Sequence, residues 1–141
     1  MDPVYVICFI YCYDVWFYIS HVILHKYLYK IHKIHHSADY KTITYKDTYV
    51  SHYFESPFQC LGFLVPLIYI DQKPIHIFCS AFLIILRGLL RHDHRFVWLI
   101  GNHHILHHKY HNYNFGEYWL DWGFGTHYPH KEECIYGYIT I

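Results

Sequence analysis

Two long apolar blocks, set apart by polar stretches rich in histidine, give this chain its pattern. Residues 4–19 (VYVICFIYCYDVWFYI) carry one charge, Asp14. A second block covers residues 58–90 and is interrupted by Asp71-Gln72-Lys73-Pro74. Its arms, 58–70 and 75–90, are each shorter than the ~20 residues of a full membrane span. Pro57 and Pro66 predict kinks in the first arm. The first block predicts a slightly short membrane helix. For the second, three readings stay open: a hairpin across the bilayer, a shallower re-entrant one, and a buried hairpin in a soluble protein.

The polar stretches also read as helix. Residues 20–36 (SHVILHKYLYKIHKIHH) contain no Gly or Pro and predict a helix continuing from the first block, with room for a bend. Residues 101–109 predict a short helix opened by Gly101-Asn102. The expected fold is therefore all-α, one domain over 1–141. Its membrane helices lie at 4–19 and 58–90, and 20–56 with 91–127 form a helical cap.

Charge placement orients this arrangement. Lys26, Lys30, Lys33, Lys41 and Lys46 follow the first helix, and Arg87, Arg91 and Arg95 follow the hairpin. The excess of basic residues near span ends marks the cytosolic side, which puts residues 21–56 and 87–141 there and the 71–74 turn and the N-terminus opposite. The Met-Asp-Pro start lacks the basic n-region of a signal peptide, so the first helix is expected to be retained. Asp14 inside a span invites a functional reading or a pairing within a self-associating helix. Lys plus Arg equals Asp plus Glu at 11 each, so the basic excess of a nucleic-acid binder is missing. Five cysteines without a C-x-x-C pair suggest reduced thiols rather than a disulfide frame or zinc ribbon.

Sixteen histidines change the picture. Each ring has two nitrogens to satisfy, so a core does not collect them without a purpose. All but His76, read as a helix-end residue, lie in the stretches assigned to the cytosolic side. His21 and His25 are four apart; His32, His35 and His36 fall at i, i+3, i+4, and His104, His107 and His108 repeat that spacing. Residues three and four apart share a helix face, so each cluster is expected to aim its rings one way. These eight rings, with one or two from His92, His94 and His103, exceed the four to six ligands of one metal ion and suit two. No H-E-x-x-H motif is present, and no Glu has His three residues on, so the protease and carboxylate-bundle patterns fail. Imidazole alone leaves zinc, copper, iron and nickel open. His111, which flanks the last cluster, and His52 and Glu55, which precede the hairpin, stay open between a functional and a structural role, and His127 and His130 read as tail.

In chain order, His21-x-x-x-His25, His32-x-x-His35-His36, the hairpin, His92-Asp93 and His103-His104-x-x-His107-His108 resemble the fatty acid hydroxylase / sterol desaturase superfamily. Asn112-Tyr-Asn-Phe-Gly116 and Trp119-Leu-Asp121-Trp-Gly-Phe-Gly125-Thr126 are similar to its closing signature. The likeness covers residues 16–127. It implies an integral, multi-pass membrane enzyme, of the endoplasmic reticulum in a eukaryotic cell, with a cytosol-facing dimetal centre. Two iron ions would be present when active, with zinc as a substitute on isolation.

The implied reaction is O2-dependent hydroxylation or desaturation of a lipid or sterol. Electrons would come ultimately from NAD(P)H through a separate cytochrome b-type carrier and reductase, since no haem-binding module is attached. By position, the resemblance makes His21, His25, His32, His35, His36, His104, His107 and His108 metal ligands. His92 or His94 would supply the ligand before the last box, and His103 is a further candidate. Asp93, Asn114 and Asp121 would hydrogen-bond ligand N–H groups. Less membrane-spanning sequence precedes the first box than family members usually carry. Kept beside this reading are an inactive relative, a non-redox membrane protein that binds zinc, and a homo-oligomer.

Overall fold

The first helix starts on a cap that the sequence supplies. Asp2 accepts a hydrogen bond from the Val4 backbone N–H at 3.0 Å, and Pro3 occupies the first turn, where a missing N–H loses nothing. Helix α1 (Pro3–Tyr27) then runs for 25 residues, about 37 Å at 1.5 Å per residue. That exceeds the ~30 Å hydrocarbon thickness of a bilayer. The helix runs past the apolar block through His21 and His25, as the reading of residues 20–36 expects. It breaks at Leu28 (φ −123°, ψ 27°). The short helix α2 (Tyr29–His32) and a 3₁₀ turn (His35–Ser37) follow. The helix predicted over 20–36 is therefore bent at Leu28, and the fold-back returns His32 to His21.

This computed structural model describes residues 2–139, and every regular element among them is helical. The hairpin comprises α3 (Glu55–Tyr69) and α4 (Pro74–Arg91). Pro57 lies in the first turn of α3 and Pro66 within it. Helix α3 packs along α1, and Gly62 sets the approach. A Cβ there would fall 2.6 Å from the Cys12 carbonyl oxygen and closer still to Trp16. The Asp2 backbone nitrogen lies 3.4 Å from His76 Nε2. The chain start and the hairpin turn thus share one end of the helices, opposite the histidine cap.

Helices α1 and α4 are long and apolar enough to cross a membrane; only 33% and 22% of their apolar windows are buried. The core helices of a soluble protein would be mostly covered, so this low burial favours a membrane setting over the soluble hairpin. Ile68, Phe78 and Phe82 on the hairpin face outward, as lipid-facing side chains do.

Charges inside this apolar layer are paired. Arg87 Nη1 donates to Asp14 Oδ2 at 3.0 Å, and a second bond joins Nη2 to Oδ1. Arg87 Nε also lies 3.4 Å from Glu117 Oε1, which accepts from Arg91 Nη2. All four residues are buried. Arg87 and Arg91 are therefore not surface charges marking a membrane face, and Asp14 finds its partner within its own chain. The network ties α1 and α4 to Glu117 of the cap.

The cap is completed by α5 (Val97–Ile100), α6 (His103–Tyr110) and α7 (Tyr118–Phe124). Beyond the predicted limit of residue 127, the chain straps back over the cap. Ile135 N–H donates to Asn102 Oδ1 at 2.8 Å, and Ile139 N–H to the Leu99 carbonyl at 2.7 Å. Glu133 accepts from Lys109, Tyr110 and Tyr128.

Candidate metal centre

Nine rings from five stretches of chain meet where α1 leaves the apolar layer. They form two groups. His21, His25, His32, His36 and His107 make the first; His35, His92, His104 and His108 make the second. Within each group the ligand atoms all lie within 4.8 Å of one another. The second group is fully buried, and in the first only His25 and His36 are half-exposed.

Local structure explains which ring goes where. His21 and His25 are one turn apart at the end of α1 and share a face. His32 and His36 join them after the fold-back at Leu28, while His35 between them points to the second group. Helix α6 does the reverse. Its i, i+4 pair, His104 and His108, enters the second group, and His107 enters the first. Each triplet thus splits its rings between the groups instead of aiming all three one way. His92 arrives from the C-cap of α4.

The far side of most rings is anchored. His21 Nδ1 bonds the Phe115 carbonyl. His107 Nδ1 donates to the Tyr113 carbonyl at 2.6 Å, His92 Nδ1 to Gly88 at 2.9 Å, and His35 Nδ1 to Val50 at 3.2 Å. His32 Nδ1 donates to Glu55 Oε1 at 2.9 Å. Carbonyl and carboxylate oxygens only accept, so each of these rings carries its proton on Nδ1. Each Nε2 is left with a bare lone pair. Yet His21 and His32 bring their Nε2 atoms to 2.9 Å.

Two lone pairs at that distance repel unless a cation lies between them. At the ~2.1 Å metal–nitrogen distance usual for imidazole, adjacent ligands of an octahedral ion stand about 3.0 Å apart. The Nε2 separations here run from 2.9 Å (His21–His32) through 3.0 Å (His32–His36, His25–His107, His92–His104) to 3.2 Å (His35–His92). Both ring nitrogens of buried His108 lack a hydrogen-bond partner among the described residues, an arrangement that a metal bond to one of them relieves. The donor set fits two metal ions.

Electrostatics favour the ligand form. Burial, reinforced by neighbouring rings, lowers the pKa of His35 to about 4 and of His92 to about 3. The same causes push His36, His104, His107 and His108 below the usual imidazole range. These rings are neutral at pH 7, and neutral imidazole is what binds a metal.

The fatty acid hydroxylase profile matches residues 6–126, a stretch that holds every member of both groups. The chain belongs to the fatty acid hydroxylase family. No curated protein and no solved structure matches it. Membership makes it an oxidoreductase of the hydroxylase type, and with its two apolar helices it points to a membrane location.

The other residues singled out in the sequence sit around the groups. His94 Nε2 meets the Tyr40 carbonyl at 2.7 Å on the exposed surface, and His103 Nε2 meets Asp121 Oδ2 at 3.0 Å. Neither joins a group. The His111 ring lies tilted against that of His36, with ring centroids 4.5 Å apart. Asp93 is tied to Arg95 and the Tyr45 backbone, and the Arg95 guanidinium holds its carboxyl well below the usual range.

Asn114 and Asp121 act on the chain rather than on a grouped ring. Asn114 Nδ2 donates to the His103 carbonyl. Asp121 accepts from Phe115 N–H and Gly116 N–H at 2.8 Å each, and from Thr126 Oγ1 at 2.7 Å. His111 and Asn114 adopt left-handed backbone angles (φ 61° and 60°), which turn the loop so that Tyr113 and Phe115 present their carbonyls to His107 and His21. Glu55 is the anchor that sequence reading did not assign. An acid opening an apolar hairpin was its one signal.

A cavity and a groove among the described residues border the histidines from different sides. A cavity of about 140 Å³ lies between α1, α3, α4 and the cap, walled by Tyr13, Phe17, Cys60, Ile84 and Ile85, and reaches His21, His35, His92 and His104. A shallower groove on the cap side, lined by Lys26, Tyr29, His111 and Asn112, reaches His25.

Proposed function

We propose that this protein is a membrane-bound di-iron oxygenase that hydroxylates, or desaturates, a C–H bond of a lipid or sterol with O2 and externally supplied electrons. The observation that carries the reading is the pair of adjoining imidazole groups with lone pairs turned inward, at the end of apolar helices in a chain of the hydroxylase family. His21, His25, His32, His36 and His107 would hold one ion, and His35, His92, His104 and His108 the other. Two irons bound there would supply the reduction of O2 that attack on an unactivated C–H bond requires.

The chain's own residues do the rest. The backbone carbonyls at Val50, Gly88, Tyr113 and Phe115 fix the rings before metal arrives, so the site is ordered in advance. The cavity between α1, α3 and α4 places an acyl or sterol chain against His21, His35, His92 and His104 and keeps bulk water from that face. The groove at His25 gives the opposite face contact with water, from which protons enter. Exposed Lys26, Lys30, Lys33, Lys41 and Lys46 on the cap side favour the cytosolic orientation. Electrons then come from a separate cytosol-facing carrier, and the host membrane is that of the endoplasmic reticulum or its equivalent.

Expression in a lipid-producing host, with lipid profiling and metal analysis of the purified protein, tests the reading. New hydroxylated or desaturated lipids, absent with the His107→Ala variant, are expected together with iron. Retained metal with no new lipid product in an iron-replete host with a competent electron donor would favour a non-redox zinc protein instead.

A further inference from the structure

Glu55 has one more oxygen than the histidines use. Its Oε1 accepts from His32 Nδ1 at 2.9 Å. Its Oε2 is buried and has no hydrogen-bond partner among the described residues, in a side chain at the wall of the span-side cavity. The residue is 1% exposed. A buried carboxylate oxygen without a donor is destabilising, so something that enters the cavity is its natural partner. Several polar groups along the same cavity are held by one another. Ser51 and Ser56 hydroxyls face one another at 3.3 Å. Arg87 is held by Asp14 and Glu117, and Arg91 by Glu117. The unmatched group beside His32 is thus an acceptor, and the two arginines that line the same cavity are paired with other carboxylates.

We infer that Glu55 is a specificity-determining residue whose Oε2 receives an O–H or N–H from the polar end of the substrate while Oε1 keeps His32 in place. The inference rests on the lipid-oxidising reading and adds a substrate class to it. The lipid is uncharged and donates a hydrogen bond at its head, through a hydroxyl or an amide. A free fatty acid is disfavoured, because its carboxylate meets that of Glu55. The head lies innermost, next to the histidines, and the apolar chain extends between α1, α3 and α4.

Equilibrium binding to the metal-loaded protein in nanodiscs, with no electron donor present, tests this with four probes: octadecanol, octadecanamide, octadecanol methyl ether and stearate. A hydrogen bond to a charged group is worth a preference of roughly ten- to a hundredfold. The alcohol, the amide or both are expected to bind that much more tightly than the ether and stearate, and which of the two wins identifies the donor. Glu55→Gln is the separating variant. Its carbonyl still accepts from His32, but its amide group turns a donor toward the cavity. Metal content should stay at the wild-type level while the preference over the ether disappears. Glu55→Ala should lose both.

Equal binding of alcohol, amide and ether by the wild type overturns the inference, as does tightest binding of stearate. A preference unchanged in metal-loaded Glu55→Gln does the same. If Glu55→Gln fails to load metal, the wild-type comparison decides alone. Failure of the oxygenase reading is distinct: the binding preference would hold, yet no lipid would be oxidised by the iron-loaded protein.

Discussion

His35 and His92, 57 positions apart, bring their Nε2 atoms to 3.2 Å although neither has a proton there to share. His35 spends its N–H on the Val50 carbonyl and His92 on that of Gly88. The contact is held by packing from outside and becomes favourable when a cation accepts both lone pairs. His94, two positions along, turns instead to Tyr40 on the surface.

This contrast predicts a metal count. His92→Ala should lower the content from two ions per chain to about one, because the second group falls to three rings. His94→Ala should leave it unchanged. Metal analysis of the two purified variants checks this, and equal content in both would refute the assignment of the second group.

Asp121 works at one remove. It holds the backbone of Phe115 and Gly116, and through that loop the carbonyls that orient His21 and His107. Outer supports of metal ligands typically change affinity by about 10- to 100-fold. Asp121→Ala is expected at the lower end, about 10-fold, in competition with a chromophoric chelator, with Asp121→Asn intermediate.

The metal-free protein should be acid-sensitive in a defined window. His35 and His92 titrate near 4 and 3 in the folded chain, against 6.5 for an ordinary imidazole. Between those values the unfolded chain binds more protons than the folded one, so stability falls as pH falls. It should be constant with respect to these rings above about 6.5 and decline steadily toward 4. Thermal unfolding of the metal-free protein in detergent from pH 8 to 4 measures it. Metal loading should shift the decline to lower pH, since protons must then also displace the ions.

The Asp14–Arg87 pair should matter more for stability than for metal. Removing one partner of a buried pair costs about 3–5 kcal/mol. Asp14→Ala is expected in that range, and the double variant Asp14→Leu with Arg87→Met should recover much of it, leaving Glu117 to Arg91. Unfolding titrations in a double-mutant cycle would show the coupling.

Much of this was legible in the residues. The two apolar blocks became α1 and the α3–α4 hairpin, because long apolar runs have few ways to be satisfied other than helix. The number of clustered histidines announced a two-metal inventory, because eight rings and more exceed the four to six ligands of one ion. Less legible were the anchors. Val50, Gly88, Tyr113 and Phe115 act through their carbonyls, which every residue possesses, so no side-chain pattern marks them. Arg87 and Arg91 read as surface charges because sequence distance hides that Asp14 and Glu117 lie opposite them.

By itself, then, the sequence determined which residue types were present in excess and how far apart each sat along its own helix. From that follow the helical class and the presence of enough imidazole for two ions. Only the tertiary structure decided the partition, with His35 sent to the group of His92 while its neighbours His32 and His36 join His21. It also turned His94 and His103 away. The reason is geometric. Spacing along one helix fixes relative direction within it, but which ring meets which is set by the break at Leu28 and by how α1, α4 and α6 pack.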